Sequence, residues 1–261
     1  MHPVLFHLPF VGWPVPTYGV LLAIAFLVVL KVAGVFARRA GIDSKDMVDV
    51  GFTVFLAGLV GAKLLLILLD LPTYLAHPAS LIGTIRSAGV FYGGLIAGVI
   101  AGIWIARRRG LPLWTVGDVS AICLPVGLAI GRLGCFAAGC CFGTPTDVAW
   151  AVTFTDPVAN QNTGVPLYEP RHPVEIYMAL NALALTAILL WRFKHRRFDG
   201  QVFLWFVVLY GATRSFWELF RGDAVRGFLI PGVLSTSQSI GLASVALGLI
   251  ILWWRRSQAT P

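Results

Sequence analysis

Seven apolar stretches, at about 18–36, 47–69, 90–106, 116–136, 174–191, 202–220 and 236–254, limit what this chain can fold into. A bilayer core about 30 Å thick takes roughly 20 helical residues to cross, and each stretch is that long or nearly so. Inside lipid every backbone N–H and C=O must find a partner within the protein, so only helices and closed barrels cross. The alternation of barrel strands, in segments of roughly 10 residues, is absent. The expectation is an all-α integral membrane protein with seven transmembrane helices. Composition agrees: 12% of the 261 residues are charged, against about a quarter in soluble domains. No internal repeat or low-complexity segment interrupts the pattern, so residues 1–261 read as one membrane-embedded domain. The opening MHPVLFHLPF has neither the basic region nor the small-residue cleavage site of a signal peptide, so the first span is expected to stay as an anchor.

The net charge of +8 does not indicate nucleic acid, because the basic residues cluster at the ends of apolar stretches. Arg38, Arg39, Lys45, Arg107, Arg108, Arg109, Arg192, Lys194, Arg196, Arg197, Arg255 and Arg256 follow the odd-numbered spans. Arg86, Arg171, Arg221 and Arg226 lie on the alternate side. Twelve against four is a positive-inside bias that places the N-terminus outside and the C-terminus inside.

Direction of travel then sets the depth of each polar residue. The sixth span carries YGATRSFWELFR (210–221), where ionisable groups would each cost a few kcal/mol or more in lipid. On a helix, Arg214, Glu218 and Arg221 fall about 40°, 80° and 20° from Tyr210, as one stripe climbing to the outer face. Arg132 sits near the outer end of the fourth span, and RHPVEIY puts Arg171, His172 and Glu175 at the outer tip of the fifth. The third span starts outside with Phe91-Tyr92-Gly93-Gly94, the first with Tyr18 and the seventh with STSQ, which includes Gln238.

Internal pairing is the simplest account of these groups: Arg214 with Glu218 and Arg171 with Glu175, each at i, i+4. Counting argues against it as a full explanation, since Arg132, Arg171, Arg214 and Arg221 face only Glu175 and Glu218. The missing partner is expected to be an anion, and at the outer leaflet the abundant anion is a phospholipid phosphate. Guanidinium grips phosphate through two parallel hydrogen bonds. Gly94, Gly98 and Gly102, and Gly127 with Gly131, have the small-xxx-small spacing of touching helices. Lys31 is expected to snorkel, while Lys63 is open between snorkelling and function.

In order and spacing, GRLGCFAAGCCFG (131–143), FYGGLIAG (91–98), RHPVEIY (171–177), YGATRSFWELFR (210–221) and STSQ (235–238) resemble the prolipoprotein diacylglyceryl transferases of bacteria. The likeness covers about 16–254, and the glycine-arginine-led motif of the fourth span is its specific part. The resemblance implies a multi-pass enzyme of the bacterial inner membrane, with its site towards the outer leaflet. Such enzymes move the diacylglyceryl group of phosphatidylglycerol to the lipobox cysteine thiol of a preprolipoprotein. A thioether forms and glycerol phosphate leaves. The implied partners are phosphatidylglycerol, lipobox peptides and membrane lipid, with no nucleic acid, cofactor or metal.

Arg132, Tyr210, Arg214, Glu218 and Arg221 match the family pattern, as do Tyr18, Gly93, Gly94, Arg171, His172, Pro173, Tyr177 and Gln238. The resemblance assigns phosphate binding to Arg132 and Arg214, oriented by Tyr210 and Glu218. Arg171, Arg221, Tyr18, Gly93, Gly94 and Gln238 complete the lipid site. The family usually has His where this chain has Tyr92, and Asn, Asn and Glu where it has Cys135, Ala138 and Cys140. Val174-Glu175 replaces a Ser-Gln pair. The phosphate-holding half is kept and the proton-handling half altered. Tyrosine, with a pKa of about 10, is a poor base at neutral pH. His172 or Glu175 is expected to share that work, so Tyr92→Phe should keep measurable transfer activity while His172→Ala or Glu175→Gln loses more.

Four readings of Cys135, Cys140 and Cys141 stay open: small apolar packing, a disulfide from Cys135 to Cys140 or Cys141, a covalent cysteine nucleophile, or a metal site with His172, against which the absence of paired CxxC motifs counts. Cys123 lies deep in the fourth span. Residues 143–171 form the longest polar stretch, expected outside as short strands or turns that make a lid, a docking surface or a plain connector. Residues 1–15 are expected along the outer interface. The residues also fit a non-catalytic phospholipid or anion binder, or a related transferase with a different acceptor. A transporter would need polar residues through the inner half of the membrane, where only Lys31 stands.

Overall fold

The computed structural model describes residues 2–10, 12–84, 89–223, 227–230 and 234–258. Arg86 and Arg226, two of the four outer basic residues counted above, lie outside them. The chain divides into two compact units, one of residues 30–119 and one of residues 1–29 with 120–261.

In chain order the elements begin with the hairpin β1 (Val4–His7) and β2 (Pro14–Pro16), followed by α1 (Thr17–Arg39), α2 (Ser44–Leu69), α3 (Leu71–Ala76) and α4 (Ser80–Thr84). Then come α5 (Phe91–Arg108), α6 (Leu113–Ala138), β3 (Val152–Thr153), α7 (Pro157–Thr163) and β4 (Pro170–Arg171). The chain continues through α8 (Val174–Lys194), α9 (Gln201–Trp217), β5 (Phe228–Ile230), β6 (Leu234–Ser235) and α10 (Thr236–Gln258). Each β-pair is an antiparallel two-stranded ribbon, so the protein is mostly helical.

Among the described residues five helices, α1, α2, α6, α8 and α10, are long and apolar enough to cross a membrane. The other two expected spans correspond to α5 and α9. The 18 residues of α5 end in Arg107 and Arg108, and α9 has 17 residues, short of the roughly 20 that a perpendicular crossing takes. The large apolar side chains left exposed, such as Leu27, Leu64, Ile100, Leu180 and Ile250, suit lipid and would be an aggregation hazard in water.

In the 30–119 unit, α2 and α5 pack antiparallel. Asp43 caps α2 by accepting from the Lys45 N–H at 2.7 Å, and Arg109 after α5 bridges Asp46 and Asp49 on its first turns. At the other end, glycines let the backbones touch. A Cβ on Gly61 would meet the Gly93 carbonyl oxygen at 2.5 Å, and one on Gly94 would meet that of Gly58 at 2.9 Å. Backbone cannot yield as a side chain can. Gly61→Ala should therefore destabilise this pair by about 1–3 kcal/mol, the range of overpacking, and lower the thermal unfolding midpoint in detergent. An unchanged midpoint would contradict the packing. Lys63 donates to the Thr84 carbonyl, which gives it a backbone-tying role.

In the other unit, residues 143–171 are more than a connector. Phe142, Phe154, Ala159 and Val165 form a buried cluster with Leu167 packed against it. Asp156 caps α7, accepting from Val158 N–H at 2.8 Å, and Gly164 ends it in the left-handed region at φ 71°. The opening arm forms the β1–β2 hairpin, with Leu5, Phe6, Leu8, Phe10 and Trp13 exposed. Gly127 packs against Val29 as its spacing suggests, but a Cβ on Gly131 would meet nothing within 4 Å among the described residues.

Candidate active site

Helical spacing builds one pocket from three helices. Leu128 and Arg132 stand one turn apart on α6, Met178, Asn181 and Ala182 share a face of α8, and Tyr210, Arg214 and Trp217 share a face of α9. Three of the residues singled out in the sequence, Arg132, Tyr210 and Arg214, thus meet. Two others were missed. Asn181 is the polar residue in the apolar run MALNALAL, a signal that could have found it, and its Nδ2 donates to Thr213 Oγ1 at 3.1 Å. Trp217 hides in an aromatic segment, where its ring packs on Tyr177 and Phe220.

The two pocket arginines differ. Arg214 pairs with Glu218, and its Nη2 donates to Ser237 Oγ at 3.4 Å. Arg132 makes no ion pair among the described residues. Its guanidinium is the group there that an incoming anion could claim outright.

The single stripe expected on the sixth span is corrected. α9 ends at Trp217, Glu218–Phe220 tighten into a 3₁₀ turn, and Arg221 is extended at φ −77°, ψ 136°. Glu218 still reaches back to Arg214 and lies 3.8 Å from Arg221 Nη1. The count of carboxylates is corrected too. Arg221 grips Asp223, with Nε donating to Oδ1 at 2.9 Å, and Arg171 pairs with Glu169 rather than Glu175. Formal charge in the cluster is therefore close to balanced, and the two groups of it without an ion pair among the described residues are Arg132 and Glu175.

Arg171 and Arg221 hold the loop after α6. Arg171 Nη1 donates to the Gly143 carbonyl at 2.9 Å, its guanidinium lies over the Phe142 ring at 5.1 Å, and isolated bridges join Gly143 to Arg221 and Pro145 to Arg171. A Cβ on Gly143 would collide with the His172 carbonyl, so only glycine fits this crossing. Both arginines are buried in this structural work, which argues against their expected role as lipid ligands.

Glu175 is fully buried on the first turn of α8, and neither carboxylate oxygen finds a hydrogen-bond partner among the described residues. Arg132, Arg221 and Cys141 lie within its electrostatic reach. His172 is half-buried, with Nδ1 3.3 Å from Tyr177 Oη, and that hydroxyl accepts from Trp150 Nε1 at 2.6 Å. Gln238 belongs to a capping box: its Oε1 accepts from Ser235 N–H at 2.9 Å while Ser235 Oγ accepts from Gln238 N–H at 3.1 Å. The STSQ motif starts α10, which leaves Gln238 little capacity for lipid. Tyr18 packs on Gly134 of α6.

Tyr92, Gly93 and Gly94 head α5 in the 30–119 unit. There Gly93 and Gly94 serve the contact with α2, and Tyr92 meets Phe91 edge-on at 5.7 Å. In the loop after α6, Gly139 and Cys141 adopt positive φ, 76° and 67°. For cysteine this left-handed conformation costs about 1–2 kcal/mol. The thiols of Cys135, Cys140 and Cys141 converge within 4.8 Å of one another, all free and half-buried.

A family model described as prolipoprotein diacylglyceryl transferase matches residues 3–254. Among curated relatives, the phosphatidylglycerol–prolipoprotein diacylglyceryl transferase of Clostridium tetani is 29% identical over 252 residues, covering 96% of each chain. The proteins of that name from Geobacter sulfurreducens and Solidesulfovibrio magneticus are 33% and 35% identical, covering 86% and 90% of this chain and 83% and 88% of their own.

Proposed function

Because the chain belongs to the prolipoprotein diacylglyceryl transferase family, we propose that the pocket of Arg132, Tyr210 and Arg214 holds the phosphate of its lipid donor during transfer. The protein is a transferase of lipoprotein maturation that moves the diacylglyceryl group of phosphatidylglycerol to the lipobox cysteine of prolipoproteins. The observation that carries the site reading is Arg132, a pocket-lining arginine without an ion pair among the described residues, beside an Arg214 aligned by Glu218.

The chemistry needs such a pair. The acceptor thiolate attacks the glyceryl carbon of the donor, a C–S bond forms and the C–O bond to phosphate breaks. Its electrons leave with the oxygen, so a singly charged phosphodiester becomes a doubly charged glycerol phosphate. Guanidiniums aimed at that oxygen bind the transition state more tightly than the ground state. Tyr210 and Glu218 orient the two arginines. Glu175, buried and hydrogen-bonded to nothing among the described residues, is better placed to take a proton than His172, which is engaged with Tyr177.

Seven crossings with the N-terminus outside complete the reading, supported by the positive-inside bias and by the two shorter apolar helices α5 and α9. The 143–171 region then faces the outer side of the inner membrane, where secreted acceptors emerge. A cysteine placed at Asp147 or Asn162 should react with an impermeant maleimide on intact spheroplasts; reaction only after lysis would invert the topology. For the function, purified protein incubated with phosphatidylglycerol and a lipobox peptide should add one diacylglyceryl mass to the peptide. A peptide with Ser in place of Cys should gain nothing. An unmodified Cys peptide under conditions where a relative works would overturn the assignment.

A further inference from the structure

The arginine pocket accounts for the leaving phosphate and does not explain how the acceptor sulfur becomes nucleophilic. A free cysteine with pKa about 8.5 is only a few per cent thiolate at neutral pH. Cys135, Cys140 and Cys141 stand beside this chemistry. Cys135 lies one helical turn beyond Arg132 on α6, and Cys140 N–H donates to the Cys135 carbonyl at 3.1 Å. The left-handed turns at Gly139 and Cys141 let two adjacent cysteines face one point instead of opposite sides of the chain.

Their Sγ atoms all lie within 4.8 Å of one another. Zinc–thiolate bonds of about 2.3 Å place three sulfurs about 4 Å apart around one ion, so small side-chain rotations complete the site. A disulfide would join two of the three and leave the third without a purpose. Among the described residues no His or carboxylate completes the cluster as a fourth ligand. Three protein ligands with an open position distinguish catalytic from structural zinc. Three thiolates around zinc carry a net negative charge, and Arg132 and Arg221 lie within electrostatic reach of Cys141 to offset it.

We propose that Cys135, Cys140 and Cys141 bind a zinc ion whose open fourth position takes the acceptor cysteine and ionises it for attack on the lipid. This rests on the transferase reading above. The acceptor thiol displaces a zinc-bound water, and its proton leaves with that solvent, because a coordinating thiol is deprotonated. The zinc-held sulfur attacks the glyceryl carbon, the C–O bond breaks, and glycerol phosphate departs. The thioether product is neutral, a poor zinc ligand, and dissociates. No oxidant or reductant is needed. One of the three cysteines acting itself as nucleophile would end in a stable thioether and a spent enzyme.

The test is metal content and spectroscopy on the full-length protein, purified in detergent with reductant and without chelator. Elemental analysis should find about one zinc per chain, falling at least tenfold in Cys135→Ser and Cys140→Ser. Cobalt exchanged into the wild type should show thiolate charge-transfer and tetrahedral ligand-field bands. Those bands should shift when a lipobox peptide is added and stay fixed with its Cys→Ser version, a readout independent of turnover and of variant folding. Chelation should abolish transfer and zinc restore it. Wild type without zinc or cobalt bands, with three reactive thiols or a mass two hydrogens lower, overturns the site. Undiminished transfer by metal-free protein overturns the zinc role and leaves the transferase standing. Stoichiometric zinc without transfer keeps the site and removes the reaction instead.

Discussion

Arg132→Ala should fold, insert and yet transfer diacylglyceryl groups about 10²–10³-fold more slowly, the loss seen when one preorganised transition-state donor is removed. The residue makes no ion pair among the described residues, so its removal should break no salt bridge. The fall should therefore appear in kcat with the thermal midpoint almost unmoved. Arg214 should behave differently. Its guanidinium joins Glu218 while lining the pocket, and it acts through a planar fork that an ammonium cannot reproduce. Arg214→Lys should keep the charge and still lose most of the activity. Full activity in the lysine variant would reduce Arg214 to a point charge.

Glu218→Ala should be the most destabilising substitution in the site. The carboxylate is 1% exposed and faces both Arg214 and Arg221, whose side chains are 12% and 10% exposed. Breaking a buried pair from one side leaves charge without compensation and costs about 3–5 kcal/mol. The variant should unfold at a markedly lower temperature in detergent and lose transfer, because Arg214 is no longer aligned. Glu218→Gln keeps the shape and one acceptor oxygen, so it should recover part of the stability and less of the rate. Equal midpoints for the Ala variant and the wild type would show that Glu218 does not organise the two arginines.

The parts of this molecule that follow helical periodicity were readable from the residues alone. Apolar length located the long helices, and direction of travel with 100° per residue brought Arg132, Tyr210 and Arg214 towards one level, where they meet. The parts that depend on chain reversal were not. Nothing in YGATRSFWELFR marks a helix end at Trp217: its one glycine, Gly211, lies inside α9, and the segment after the helix is held by the long-range bridge of Gly143 with Arg221. For the same reason Glu169 and Asp223, both in loops, were not recognised as partners of Arg171 and Arg221. The capping box in STSQ was visible as Ser-x-x-Gln and was passed over for a lipid role. The convergence of three thiols depends on a positive φ at Cys141, which no local pattern announces.

The central claim is that this protein breaks the bond between glyceryl carbon and phosphate oxygen with Arg132 holding the departing phosphate. Phosphatidylglycerol labelled separately in an acyl chain and in its headgroup glycerol tests it most directly, with wild type and Arg132→Ala side by side and a lipobox peptide as acceptor. The account predicts that wild type moves the acyl label to the peptide and releases the headgroup label as glycerol phosphate in equal amounts, while Arg132→Ala does neither at a comparable rate. Headgroup label on the peptide, free diacylglycerol in place of modified peptide, or full turnover by Arg132→Ala would contradict it.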